Sequence, residues 1–251
     1  MFSTQAFILD YKDIGEYDRQ YFLLTKEAGK IPAICKSVLK PKSKLAGHLE
    51  PPNFSWLELV ESVRGWQITQ ALERNSFPGL RKDPVALKST LKAARFLNDF
   101  LLGDDLTEGK SQAFGLAVSD DKTAARVFSL WQDFLNHLEV YAGSDSKTDF
   151  ELVYSQFILR ALDLFGFLPD IFSCSECGKQ FDADGALHFQ ASFFCFACAR
   201  KKSLSGQVIS NQILFLIKQI LSSVWFARAD SAQEIKILAN RFLIQAYNFV
   251  L

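Results

Sequence analysis

Histidine, methionine and glycine-rich turns are scarce in this chain, and each scarcity removes a class of function. Of 251 residues, three are histidine and one is methionine. The histidines, His48, His137 and His188, stand far apart with no metal-hydrolase signature around them. Gly15, Gly29 and Gly47 are isolated, so no glycine-rich loop is present to cradle a nucleotide phosphate. There is no Gly-x-Ser-x-Gly elbow and no His-Glu-x-x-His helix, which speaks against the common hydrolases. Asp104 and Asp105, like Asp120 and Asp121, fall in polar stretches where solvated charge is the expected role. The longest obvious apolar run, Ile213–Ile217, has five residues, against the roughly 18–20 a helix needs to cross a bilayer. Met1 to Lys12 has no basic start, no adequate apolar core and no small-residue cleavage site, so a cytoplasmic location is expected and a secretory leader is not. Net charge is absent too: 28 basic and 28 acidic residues cancel, giving no global case for nucleic acid.

Against this background the cysteines stand out. Cys174, Cys177, Cys195 and Cys198 form two Cys-x-x-Cys pairs separated by 17 residues. A two-residue gap lets both thiolates of a pair turn inward on one tight knuckle. Two knuckles bring four sulfurs to the corners of a tetrahedron, the arrangement Zn²⁺ prefers. A site filled by four sulfurs leaves no position for an activated water, so a structural Zn²⁺ is expected and zinc hydrolysis is not. Two disulfides, or a redox pair, are the competing readings; a cytoplasmic chain is a poor setting for the first, and the second needs only one pair. His188 lies between the pairs and reads as a bystander. The fifth cysteine, Cys35, sits in the apolar run Ile31–Leu39 and reads as a small buried side chain.

Charge is uneven locally. Between Lys30 and Lys44 there are five lysines and no acid. This Lys/Pro/Gly-rich stretch continues to Pro52, and lysines on such a loop can neutralise phosphates without reading sequence. A solvated lysine loop is the plain alternative. Aromatic residues nearby in sequence, Phe7, Tyr11, Tyr21, Phe22, Phe54, Trp56 and Trp66, can stack bases if they face outward, although most belong in a core.

Periodicity divides the chain near residue 80. Thr4–Tyr11, Arg19–Lys26, Ile31–Leu39, Asn53–Val63 and Trp66–Arg74 read as about five short strands, which suggests a small antiparallel barrel. Beyond Pro78 and Gly79 the pattern is helical. Pro84 opens a helix to about Leu102. Thr123–Tyr141 places Val127, Leu130, Trp131, Phe134, Leu135 and Leu138 on one face, and Phe150–Phe165 repeats the pattern. Ser210–Phe226 and a last helix after Ser231, with Ile235, Leu238, Phe242, Leu243, Ala246 and Phe249 inward, complete the series. The expectation is thus a mixed β and α chain: a barrel over 1–80, then a mainly α-helical domain over 81–251 with a four-cysteine zinc knuckle inserted at 170–203.

Several of these stretches together resemble the bacterial RecO family of recombination mediators, over essentially the whole length. The turn Asp13-Ile14-Gly15-Glu16-Tyr17-Asp18-Arg19 is similar to that family's first turn. Gly29-Lys30-Ile31, Lys40-Pro41-Lys42-Ser43-Lys44-Leu45-Ala46-Gly47 and Leu49-Glu50-Pro51 resemble its basic segment. Gly166-Phe167-Leu168-Pro169 and the two cysteine pairs resemble its helix end and zinc segment. The resemblance implies that the barrel is an OB-fold. It implies binding of single- and double-stranded DNA, annealing of complementary strands, and work with RecR to help RecA load onto DNA coated by single-strand-binding protein (SSB). The SSB C-terminal tail is implied as a partner of the helical domain, and bond-breaking catalysis is not implied. DNA contact carries over to Lys36, Lys40, Lys42 and Lys44, and to Arg19. Lysine stands at several places where the family often has arginine, and Ser37-Val38-Leu39 is unusually apolar for a DNA-binding loop; both imply weaker DNA binding than a typical member. The alternative function is a zinc-stabilised interaction scaffold that makes no DNA contact.

Overall fold

The five expected strands form and close on one another. In a computed structural model they run β1 Phe2–Ile14, β2 Asp18–Thr25, β3 Gly29–Cys35, β4 Phe54–Ser62 and β5 Gly65–Asn75. The structure describes residues 1–63, 65–101, 121–142, 148–181, 186–189, 192–222, 224–226 and 230–250. Asp104, Asp105, Asp120 and Leu102, and the side chains of Asp121 and Phe249, lie outside the described residues. The barrel order is β1-β2-β3-β5-β4, all antiparallel except the short parallel contact of Ala33 and Ile34 with Trp66 and Gln67. This is a closed five-stranded barrel of the OB type.

Alternation explains the barrel's interior. Ala6 and Ile8, Tyr21 and Leu23, Ala33 and Cys35, Leu57 and Leu59, and Ile68 point inward and make one apolar cluster. β1 departs from simple alternation, because Ala6, Phe7, Ile8 and Leu9 are all buried. Its outward face is covered by helix. Phe7 meets Phe54 at 4.6 Å, Phe128 at 5.0 Å and Trp131, edge-on, at 6.5 Å between ring centroids. A strand buried on both faces reads as a continuous apolar run, which is what Ala6-Phe7-Ile8-Leu9 is.

Among the described residues, three α-helices follow the barrel in this unit: α1 Pro78–Lys82, α2 Pro84–Phe100 and α3 Asp121–Ala142. The five-residue α1 had no periodic signal in the sequence. Its start is held from α3, where the Glu139 carboxylate accepts from the N–H groups of Gly79 and Leu80 at 2.8 and 2.9 Å. α2 begins as its sequence predicts. Pro84 occupies the first turn, and the Asp83 carboxylate accepts from the Val85 and Ala86 N–H groups at 2.9 and 3.1 Å. Asp83→Ala is expected to cost about 1 kcal/mol, read as a lower denaturation midpoint with an unchanged denaturant slope. Of the predicted α3 face, Val127, Trp131, Phe134, Leu135 and Leu138 are buried and Leu130, at its edge, is half-buried.

The chain forms two compact units, Met1–Lys147 and Thr148–Phe249. The second holds α4 Phe150–Leu164, three short strands β6 Ala186–Phe189, β7 Ser192–Phe194 and β8 Gln207–Ile209, then α5 Phe196–Lys201, α6 Asn211–Leu221 and α7 Ala232–Val250. α4 is buried nearly all round, including Ser155, whose hydroxyl donates to the Glu151 carbonyl, and two larger polar residues, Gln156 and Arg160. Both larger ones are satisfied by backbone. Gln156 exchanges hydrogen bonds with the Phe226 carbonyl and N–H at 2.8 and 2.9 Å. Arg160 donates to the Ile220 and Val224 carbonyls, each at 2.7 Å, and its guanidinium lies 3.9 Å from the Trp225 ring. A cation among the carbonyls ending α6 is favoured by the helix dipole, and its fixed fork suits two acceptors better than a lysine would. The strands β7-β6-β8 form a small sheet that the sequence did not reveal. Among the described residues no helix is long and apolar enough to cross a membrane.

Candidate metal centre and nucleic-acid interface

The four paired cysteines converge. Their sulfurs all lie within 4.8 Å of one another, and Cys177 Sγ is 3.9 Å from Cys195 Sγ. A zinc–sulfur length of about 2.3 Å sets the sulfurs of a tetrahedral site about 3.8 Å apart, so the donor set fits one metal ion. All five cysteines are free thiols. Each knuckle is built locally. In the first, the Gly178 N–H donates to the Cys174 carbonyl at 2.8 Å, and Gly178 takes φ +69°, a left-handed conformation suited to glycine. In the second, Cys195 begins α5, and its carbonyl accepts from the Ala199 N–H at 3.0 Å. The Ser175 N–H reaches the Phe193 carbonyl on β7 at 2.8 Å and joins the knuckles.

The thiols differ. Burial pushes the Cys174 thiol up, but hydrogen bonds from the backbones of Cys195, Cys177 and Glu176 outweigh it and bring it to about 6. The Cys198 thiol, hydrogen-bonded to the Cys195 and Cys177 sulfurs, is pushed up to about 12. One thiolate is thus favoured by the protein alone; a cation at the centre would favour the thiolate form of all four. Cys35, inside the barrel, is separate. Burial, with the Asp18 charge added, pushes its thiol up to about 11, as befits an inert core residue.

His188 does not join the cluster. It is buried on β6, 4.8 Å from the Phe193 ring and 5.5 Å from the Phe242 ring. Burial, and then the Arg241 charge, lower its pKa. A histidine held neutral in this way supports the fold above the ordinary histidine range near pH 6.5. That support drains away as pH falls below it, because the unfolded chain then binds the extra proton. The melting temperature is therefore expected to drop from pH 7.5 to pH 5.5, and His188→Leu is expected to flatten part of that limb.

The basic loop is anchored at both ends. Val38 plugs the barrel core, and Leu39 and Leu45 pack against it. This accounts for the apolar Ser37-Val38-Leu39: the stretch anchors the loop and leaves the lysines to face water. The Ser37 N–H donates to Asp18 Oδ1 at 2.7 Å and the Leu39 N–H to the Tyr17 carbonyl at 3.1 Å, tying the loop to the β1–β2 turn. At the far end a 3₁₀ turn, Ala46–Leu49, is tied to the barrel. Asn53 Nδ2 donates to the Gly47 carbonyl at 3.0 Å, and the Ser55 hydroxyl to the His48 carbonyl at 2.6 Å.

Lys36, Lys40, Lys42 and Lys44 are all exposed on this loop. Several carboxylates around the β1–β2 turn have other partners; Glu16 accepts from the Tyr17 hydroxyl. Asp18 holds the loop backbone, and Asp13 and Glu50 pair with Arg19 at 2.6 and 3.7 Å. The four ammonium groups thus form a local cationic run on the loop. Arg19 differs from the lysines: its side chain is 11% exposed and its guanidinium sits 3.6 Å from the Tyr11 ring centroid. Lys30, which begins the lysine stretch in sequence, turns away. Its ammonium donates to the Asn98 and Leu101 carbonyls at the end of α2, at 2.6 and 3.1 Å. Of the aromatics named above, Phe7 and Tyr21 are core, Phe22, Phe54, Trp56 and Trp66 are half-buried, and Tyr11 is exposed. Tyr17, exposed beside Lys40, is a further candidate that strand periodicity could not supply, because it lies in the turn. A second basic cluster, Arg200, Lys201 and Lys202, is exposed at the end of α5, where it complements the helix C-terminus; Lys202 pairs with Glu176 at 2.5 Å.

A closed OB-type barrel with a lysine-bearing loop, in one chain with a helical region whose four cysteines could hold a metal ion, defines the class: an architecture built around binding surfaces. Comparison with known proteins gives the family. The sequence model described as "Recombination protein O N terminal" matches residues 1–71, and "Recombination protein O C terminal" matches residues 116–251. The chain belongs to the RecO family. Among curated relatives called DNA repair protein RecO, that of Heliobacterium modesticaldum is 31% identical over 179 residues, which is 71% of this chain and 56% of the relative. That of Pelobacter propionicus is 27% identical over 218 residues, covering 85% and 78%. That of Alkaliphilus metalliredigens is 26% identical over 251 residues, covering 100% and 91%.

Proposed function

We propose that this chain is a recombination mediator that acts by binding and not by bond-breaking. It holds single- and double-stranded DNA, anneals complementary strands, and with RecR assists RecA loading on SSB-coated single strands. The observation that carries the reading is the set of four exposed lysines on a loop anchored at both ends. Lys36, Lys40, Lys42 and Lys44 neutralise backbone phosphates and release counterions without reading sequence. Screened phosphates let two strands approach while their bases remain free to pair. Arg19, held by Asp13 and Glu50, takes part at the edge of this face, chiefly by bracing the turn. The barrel, residues 1–80, is the DNA-binding part, and the helical region engages RecR and the SSB C-terminal tail. Four sulfurs in a closed set favour Zn²⁺ in a structural role. The protein works in the cytoplasm, at the nucleoid.

The test is annealing of complementary strands coated with SSB. The protein is expected to accelerate it without nucleotide, and the acceleration to fall steeply with salt. A folded, metal-loaded protein that neither anneals nor binds DNA at low salt would leave the interaction scaffold as the better reading.

A further inference from the structure

Resting on the lysine-loop reading and extending it, we propose that Tyr17 is a nucleobase-stacking platform that gives this chain a preference for single strands over duplex. The residue is placed for it. Tyr17 sits in the β1–β2 turn with 41% of its surface exposed, where an aromatic ring gains nothing from a core. Its hydroxyl donates to the Glu16 carboxylate. The Lys40 ammonium lies 5.2 Å from the ring centroid. The spacing between ring and lysines is held by the backbone bond from Leu39 to Tyr17 and by Asp18 on the Ser37 N–H. A base laid on Tyr17 takes the face away from Lys40 or displaces its ammonium onto the base's own phosphate, and the Glu16 charge on the hydroxyl side steers that phosphate toward the lysines.

Tyr11, the other exposed barrel tyrosine, is already used. The Arg19 guanidinium covers it at 3.6 Å and Tyr21 approaches at 6.1 Å. Both tyrosines carry a cation over the ring, but Arg19 sits on Tyr11 at 3.6 Å and Lys40 stands off Tyr17 at 5.2 Å, so Tyr17 is the more open of the two. A duplex keeps its base faces stacked inside the helix and offers this ring nothing, whereas an unpaired strand offers a face at every residue. Lysines on the same loop bind both forms through phosphate. Discrimination between the two must come from a group that touches bases.

The experiment compares three DNA probes at one low salt concentration: an oligothymidylate, an abasic oligomer of equal length and a short duplex. Tyr17→Ala is expected to weaken oligothymidylate binding about tenfold, a typical loss for one stacked base, with abasic and duplex affinities unchanged. Tyr17→Phe is expected to keep the parent's affinity for all three. Tyr17→Trp is expected to add tryptophan fluorescence that oligothymidylate quenches and the abasic oligomer does not. Equal losses of Tyr17→Ala on all three probes, or none on oligothymidylate, would overturn the proposal, as would unquenched fluorescence at saturation. The lysine reading fails separately: charge reversal at Lys40, Lys42 and Lys44 would then leave abasic binding intact.

Discussion

If the cluster holds zinc as proposed, replacing Cys174 and Cys195 by serine together is expected to abolish metal binding and unfold the module around the cluster. The reason lies in how little else holds that module. Its strands are four, three and three residues long and its helix, α5, has six. Pieces of this size do not stand alone in water. A structural zinc site in a small module contributes about 10–16 kcal/mol of apparent binding energy at neutral pH, comparable to or above the whole stability of an ordinary domain. Losing one sulfur from each knuckle leaves two ligands, too few for a closed tetrahedral site. The loss spreads, because Phe193 on β7 is fully buried and lies 6.1 Å from the Phe242 ring of α7. Metal analysis should fall from one equivalent to none, and protease should cut within 171–209 before it cuts the barrel. A double variant that keeps its metal and its melting temperature would show that these sulfurs are not the ligand set.

The second large effect is on DNA. Reversing Lys40, Lys42 and Lys44 to glutamate is expected to lower affinity for single strands at least about a hundredfold near 0.1 M salt. It should also flatten the logarithmic salt dependence by about two, since each phosphate contact on a single strand contributes about 0.7 to that slope. The fold should survive, because all three side chains are exposed and surface substitutions away from packed features cost about 0.5 kcal/mol or less. An unchanged affinity and slope, in a variant that melts like the parent, would remove DNA contact from this loop.

Both effects rest on features with unequal sequence signals. The cysteine spacing was plain, because a knuckle is a local structure and needs only the right residues two apart. The barrel was legible for a similar reason: inward residues such as Tyr21 and Leu23, or Leu57 and Leu59, alternate along each strand. α3 showed its buried face at helical spacing. The short strands β6 to β8 were not legible, since three or four residues give no period to count, and α1 is too brief to show one. The charges were legible only as a group. Lys30 belongs to the basic run in sequence, yet it closes the end of α2. Arg19 is occupied by Asp13 and Glu50, which in turn frees the lysines from those carboxylates. Such pairings are set by distant parts of the chain, so composition along a window cannot sort them. The same holds for Tyr17, whose meaning depends on a lysine brought to it by the loop's anchors.

The two-sided burial of β1 has a practical consequence. The family's C-terminal match begins at residue 116 and so includes α3, yet α3 supplies Phe128 and Trp131 against Phe7 of the first strand. The inherited segment boundary and the physical one differ. A fragment cut after β5 would carry a bare greasy stripe along β1 and a lysine, Lys30, stripped of its carbonyl acceptors. Anyone wishing to handle the barrel by itself in the test tube should keep the chain through the end of α3, and should expect the shorter piece to clump.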